Sequence, residues 1–286
     1  MNLVSLFAAE SSGPIVHVAP GGVLEIGGIT ITNSILYGWF TSILLITLFI
    51  WVARVITVKP KGGVVQFVEI AVNFITNLVE SAFDNVKIGR KYLPFFVTIF
   101  FIIVLNNWLG LMPFVGNGFT SGENPLLRPF TGDLNATLAM GVCTMIFVYA
   151  VSIKESGGLV PYFKHFFAGS PKNPIYLVSA LLEMFTDLTR VLSLSLRLFL
   201  NVAIGEIIIG VFAYLGSSIA PLTALPFVMF EIFVGALQAY IFTILATMYL
   251  AIAVNHSGDH NDEDDLTADV PAETIELTAG SAHGRA

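Results

Sequence analysis

The chain has 286 residues, 55% of them hydrophobic and 12% charged, with 24 Phe. That composition excludes a disordered chain and an ordinary soluble domain, and marks a polytopic membrane protein. The net charge of −7 belongs to one end: residues 256–286 hold eight Asp or Glu and one Arg, leaving twelve of each sign elsewhere. No basic surface suited to nucleic acid remains, and the lone Cys143 rules out a disulfide framework or a multi-cysteine metal site.

In chain order, residues 1–33 form an outer N-terminal segment, and their opening MNLVSLFAAE lacks the basic n-region of a secretory signal. Residues 34–56, 92–113 and 134–153 each supply the roughly 20 apolar-dominated residues that a ~30 Å hydrocarbon layer requires. Trp39, Trp51 and Trp108 lie near their ends, as interfacial anchors do. Residues 64–86 differ, because Gln66, Glu69, Asn73, Asn77, Glu80 and Asp84 recur every three or four positions. The pattern predicts a two-faced helix lying in the membrane interface, since carboxylates at membrane depth are costly.

Residues 175–213 form a nearly unbroken apolar run of 39, about 58 Å of helix at ~1.5 Å per residue and almost twice the hydrocarbon thickness. Residues 221–254 add 34 more. Helices of this length tilt steeply or bend. Gly216, two serines and Pro221 lie between them, so a strongly slanted hairpin is expected. The tail, 255–286, is acidic and aperiodic and is expected to be disordered. His256, Asp259, His260 and Asp262 within it could hold a metal, but no resident metal or cofactor is expected.

Arg54, Lys59, Lys61, Lys87, Arg90, Lys91, Lys154, Lys164 and Lys172 all fall on one side if 64–86 does not cross, and only Arg128 falls on the other. The positive-inside rule then predicts an all-α membrane domain over 34–254 with five crossings, an outer N-terminus and a cytoplasmic tail.

The segment LSLSLRLFLN places Arg197 inside the longest apolar run. On insertion scales this costs roughly 3 kcal/mol, and ~10 or more in simulations, unless water or a counter-charge meets it. At ~100° per residue, Glu183, Thr186, Arg190, Ser193, Arg197 and Asn201 form one polar stripe. Glu206 sits about 180° round the helix from Arg197. In an antiparallel hairpin, Glu206 with Glu231 has an index sum of 437 and Arg197 with Gln238 a sum of 435, so a carboxylate pair is expected in the outer half and an Arg–Gln level nearer the middle. Ionisable groups at this depth mark ion pathways. Simpler roles compete elsewhere: Gln238 could bond another helix, Asp133 reads as an N-cap, Asn106 and Asn107 as the wet end of a span, and Arg190 as a side chain snorkelling to the cytoplasm.

These motifs resemble subunit a of the F-type ATP synthase: SLSLRLFLN with Glu206 nine residues beyond the arginine, FEIFVGALQAYIFTILATMYL, Glu183 fourteen residues upstream, NNWLGLMP at 106–113 and DLNATL at 133–138. The resemblance covers roughly 34–254. Three positions depart from the family pattern: Leu200 where glycine usually precedes the asparagine, Val191 where many members have proline, and glutamate at both hairpin positions, one of which is often histidine. The resemblance implies a stator subunit of a bacterial plasma membrane that carries protons to a rotor ring of small c-type subunits, held to the catalytic head through b-type stalk subunits. It implies an outer half-channel lined by Asn201, Glu206, Glu231, Asp133 and Asn135, and an inner one near Glu183, Thr186 and Asp187, with Arg197 between them. ATP chemistry lies elsewhere, because the chain has no Walker-type Gly-rich loop. A secondary ion-coupled carrier is the alternative, but carriers usually show internal repeats and short broken helices, and neither is visible here.

Overall fold

The computed structural model describes residues 21–26, 29–56, 63–112, 127–155, 174–216 and 219–268, with positions 115, 120–121, 124–125 and 158. Two small antiparallel hairpins, Gly22–Ile26 with Ile29–Thr32 (β1, β2) and Thr120–Ser121 with Asn124–Pro125 (β3, β4), accompany an otherwise helical chain. The first was not expected, although β-branched residues on either side of Gly27-Gly28 are a hairpin signal. The helices are α1 (Asn33–Val55), α2 (Gly63–Ala82), α3 (Val86–Gly110), α4 (Leu134–Glu155), α5 (Pro174–Gly216) and α6 (Ala220–Ala268), with a 3-10 turn at Phe130–Gly132. All six are long and apolar enough to cross a membrane. Large apolar side chains such as Ile43, Ile146, Phe185 and Leu215 are more than half exposed, as befits a surface whose solvent is lipid.

Two boundaries differ from expectation for physical reasons. Helix α3 starts six residues before the apolar run because the Asn85 side chain accepts from the Lys87 amide at 3.1 Å and caps a polar first turn that hydropathy cannot see. Helix α6 runs on to Ala268, so the backbone of 255–268 is helical where no regular structure is expected. A helix already nucleated extends into polar sequence without a second nucleation cost. The side chains of 255–268, with the metal-capable group among them, and all of 269–286 lie outside the described residues.

Contacts fix the helix directions. Thr41 meets Asn106 and Phe49 meets Phe101, so α1 and α3 are antiparallel. The start of α3 meets the end of α4, where Lys91 Nζ and Tyr92 Oη both donate to Glu155 Oε1 at 2.5 Å. Tyr149 with Asp187 and Gly141 with Ser195 set α4 against α5 in antiparallel order. In the α5–α6 hairpin, Glu231 packs on Gly205, Phe227 stacks on Phe212 at 3.9 Å, and Thr223 Oγ1 donates to the Phe212 carbonyl at 2.9 Å. The buried face of α6 carries Gly235, Ala239, Thr243, Ala246 and Thr247, small residues that let neighbouring helices approach closely where the hydrophobic effect cannot drive association.

Helix α2 is amphipathic as the sequence predicts. Val65, Val68, Ile75 and Val79 are buried in a cluster with residues of α1, α3, α4 and α6, while Gln66, Asn73 and Asn77 are exposed. Val79 packs at Gly89, Phe67 lies 6.1 Å from Trp108, and Arg90 Nε donates to Glu80 Oε1 at 2.6 Å, so α2 lies lengthwise on α3.

Candidate functional site

The 3-10 turn is wedged between α1, α3 and α5. Glycines admit it: a Cβ at Gly38 would sit 2.6 Å from the Phe130 ring, and one at Gly110 2.8 Å from Pro129. Arg128, only 3% exposed, donates from Nη2 to the Gly132 carbonyl at 2.9 Å. A Cβ at Gly132 would lie 3.4 Å from Glu206 Oε1 and 3.8 Å from Arg128 Nε, so the carboxylate and the guanidinium flank one backbone position. Tyr37 of α1, 1% exposed, lies within electrostatic reach of Glu206, and its buried hydroxyl has no hydrogen-bond partner among the described residues. Asp133 is buried beside them. Its Oδ2 accepts from Ser34 Oγ at 2.7 Å and its Oδ1 from the Asn135 amide at 3.0 Å, the N-cap role the sequence suggests.

Asn106 and Asn107 are not at the wet end of a span; both are buried. Asn106 Oδ1 accepts from Thr41 Oγ1 at 3.1 Å. Asn107 Oδ1 accepts from Thr131 Oγ1 at 2.9 Å, while its Nδ2 donates to the Gly235 carbonyl at 3.2 Å. Asn107 thus ties the turn, α3 and α6 together one helical turn beyond Glu231.

Glu206 and Glu231 occupy one level of the hairpin, but they face differently. Glu231 lies against Gly205 and lines a groove of about 480 Å³ between α5 and α6, in which Asn201 is the other polar side chain. Glu206 turns toward Arg128 and the 3-10 turn. The index sum finds the level and cannot find the facing, since the turn arrives from another part of the chain. Gly205 permits this approach, while Leu200, where the resembled family pattern has glycine, is 47% exposed.

Arg197 is exposed on the flank of α5 that no other described helix covers, and among the described residues no carboxylate lies within ion-pair distance of it. Thr186 and Ser193 share that exposed flank, and Arg190 and Asn201 lie partly covered at its edge. The Glu183 side chain is outside the described residues. Gln238 is 5% exposed, and its Nε2 lacks a partner among the described residues. Toward the other end, Asp187 accepts from Arg190 Nη1 at 2.8 Å and from Tyr149 Oη, and the Arg190 guanidinium stands 5.0 Å from the Tyr249 ring centre. Arg190 thus has partners within the chain, an acid one turn earlier and an aromatic face. Ile99, Ile103, Leu194, Leu198, Ala239 and Phe242 form an apolar layer between this cluster and the outer one.

The sequence does not single out Tyr37, Tyr149 or Tyr249, and counts Arg128 only as a loop charge. A tyrosine in a span reads as an interfacial anchor. The one signal for Arg128 is its place five residues before a capping aspartate.

A helical membrane protein with ionisable groups gathered toward both ends of a long hairpin, and one arginine between them, has the make-up of an ion-translocating subunit. Residues 35–251 match the family described as ATP synthase A chain. ATP synthase subunit a 2 of Chlorobaculum tepidum is 31% identical over 254 residues, covering 83% of this chain and 68% of that protein. ATP synthase subunit a of Syntrophobacter fumaroxidans is 30% identical over 244 residues, covering 84% and 92% respectively. The chain belongs to the ATP synthase A chain family, whose members are membrane-sector subunits rather than catalytic ones.

Proposed function

We propose that the chain is the proton-translocating stator subunit of an F-type ATP synthase in a bacterial plasma membrane, and that it loads and unloads a rotor ring of c-type subunits through two offset half-channels. The observation that carries this reading is the separation of polar zones. Tyr37, Arg128, Asp133, Asn201, Glu206 and Glu231 gather toward one end, Asp187, Arg190 and their tyrosines toward the other, with the apolar layer of Leu194, Leu198 and Phe242 between. Water in either zone would stop at that layer. Arg197 stands on the layer's exposed flank, so a ring carboxylate passing there meets a charge that stays protonated at any working pH and cannot itself relay a proton.

Outer protons would approach along the groove lined by Asn201 and Glu231, and leave past Thr186, Asp187 and Glu183. The exposed apolar flanks of α5 and α6 would face the ring and lipid, and b-type stalk subunits would hold the chain to the catalytic head. Moving a unit charge across the membrane releases about 2.3 kcal/mol per 100 mV, so several protons combine for each ATP.

Five crossings are favoured over six by helix direction. Since α1 and α3 are antiparallel, the end of one and the start of the other lie on the same side, so residues 56–85 as a whole make no net crossing, although α2 within them lies along α3. The hydrocarbon-length portions of α5 and α6, 32 and 35 residues, reach about 48 and 52 Å at ~1.5 Å per residue, so they cross at a steep tilt.

The test is Arg197→Ala in the assembled complex. Gradient-driven ATP synthesis should be lost while the complex still assembles, because Arg197 is exposed and lies outside the chain's buried core; normal synthesis in this variant sinks the assignment. Arg197→Lys should fail nearly as badly, since an ammonium can lose its proton and lacks the planar fork.

A further inference from the structure

We propose that Arg128 is a positioning residue of the proton path: held on the Gly132 carbonyl, it is the fixed counter-charge of Glu206, and it thereby leaves proton exchange with the groove to Glu231. The inference rests on the half-channel reading and divides its outer half between two carboxylates that sequence alone treats as equivalent.

The geometry distinguishes them. Glu206 Oε1 and Arg128 Nε lie 3.4 and 3.8 Å from one shared point above Gly132, on the turn side of α5. Arg128 is 3% exposed and its Nη2 is fixed by the 2.9 Å bond to Gly132. The guanidinium cannot follow a moving proton or swing to the groove without leaving that carbonyl. Glu231 instead packs on Gly205 and lines the groove with Asn201.

Every charged or titratable neighbour of Glu206 has a placement consistent with this division. From α1, Tyr37 brings a buried hydroxyl with no other partner among the described residues, available to donate to the carboxylate. From the turn come Arg128 and Asp133, the latter occupied by Ser34 and the Asn135 amide. From α6 comes Glu231. When a half-buried carboxylate faces a buried guanidinium across one backbone position, removing one of them strands the other, whereas removing both leaves no uncompensated charge.

That asymmetry supplies the test. ATP-driven proton pumping is measured in vesicles holding the whole complex, with the amount of assembled complex quantified in parallel. Arg128→Gln should lower pumping, or assembly, at least about tenfold. In the double variant Arg128→Gln/Glu206→Gln most of that loss should be regained, because the stranded carboxylate is gone. A double variant no better than Arg128→Gln in both readouts overturns the proposal, since a residue that merely braces the turn through Gly132 would not be rescued by changing Glu206. Arg128→Lys, which keeps the charge, should stay within about threefold of the parent. A lysine variant as impaired as the glutamine one also overturns it. Arg197→Ala run alongside separates the two readings: if it pumps normally the half-channel assignment itself fails, and if it is inactive while rescue is absent, only the role of Arg128 does.

Discussion

At the scale of single residues, the outer groove depends on a missing side chain. A Cβ at Gly205 would overlap the Glu231 carboxylate, whereas one at Gly210 would meet nothing within 4 Å. Gly205→Val should therefore displace Glu231 and lower gradient-driven ATP synthesis at least about tenfold, equivalent to about 1.4 kcal/mol on the barrier, while Gly210→Ala should leave it unchanged. Equal rates in the two variants would detach the groove from function. Legibility at this scale follows cost. Arg197, Glu206, Glu231 and Gln238 stand out in the sequence because polar groups at membrane depth are expensive enough to need a reason. Arg128 sits in a loop, where charge is cheap on paper, and only the fold shows that the loop turns inward and buries it.

Among the elements, the hairpin register was the most legible feature. Polar residues on two long runs must match in depth, and Glu231 opposite Gly205 falls one residue from the expected partner. Side-chain contacts between helices distant in sequence had no such constraint, and Asn107 shows it. Asn107→Leu removes the acceptor of Thr131 Oγ1 and the donor to the Gly235 carbonyl, both buried. The expected loss is about 1–3 kcal/mol, read as earlier dissociation of the detergent-solubilised complex on heating. Lys91→Ala is the contrast. Its pair with Glu155 is 48% exposed on the lysine side, so solvent screens it and the change should shift the dissociation temperature little, less still at high salt. If both variants dissociate at the same temperature, Asn107 is not the tie between α3 and α6 that its bonds indicate.

For the whole molecule, the proposed five-crossing topology is the feature to test. Charge counting places nine basic residues on one side and Arg128 on the other only if α2 does not cross. Helix direction favours no net crossing between α1 and α3, since Thr41–Asn106 and Phe49–Phe101 run them in opposite senses. Hydropathy alone cannot decide, because α2 is as long and nearly as apolar as a spanning helix; its stripe of Gln66, Asn73 and Asn77 becomes decisive only once its ends are placed. With five crossings the segment after His256 is cytoplasmic and the Arg128 turn lies toward the outer face. Single cysteines in a Cys143→Ser background test this with a membrane-impermeant maleimide on right-side-out vesicles. A cysteine at Ser121, between α3 and α4, should label in intact vesicles. One at Ser281 should label only after permeabilisation. Labelling of the Ser281 position in intact vesicles would mean an even number of crossings, or five in the opposite sense. A cysteine at Ser12, upstream of α1, separates those outcomes: Ser121 is hidden in both, because three crossings lie between it and the tail, whereas the Ser12 position labels in intact vesicles with six crossings and is hidden in a reversed five-crossing chain.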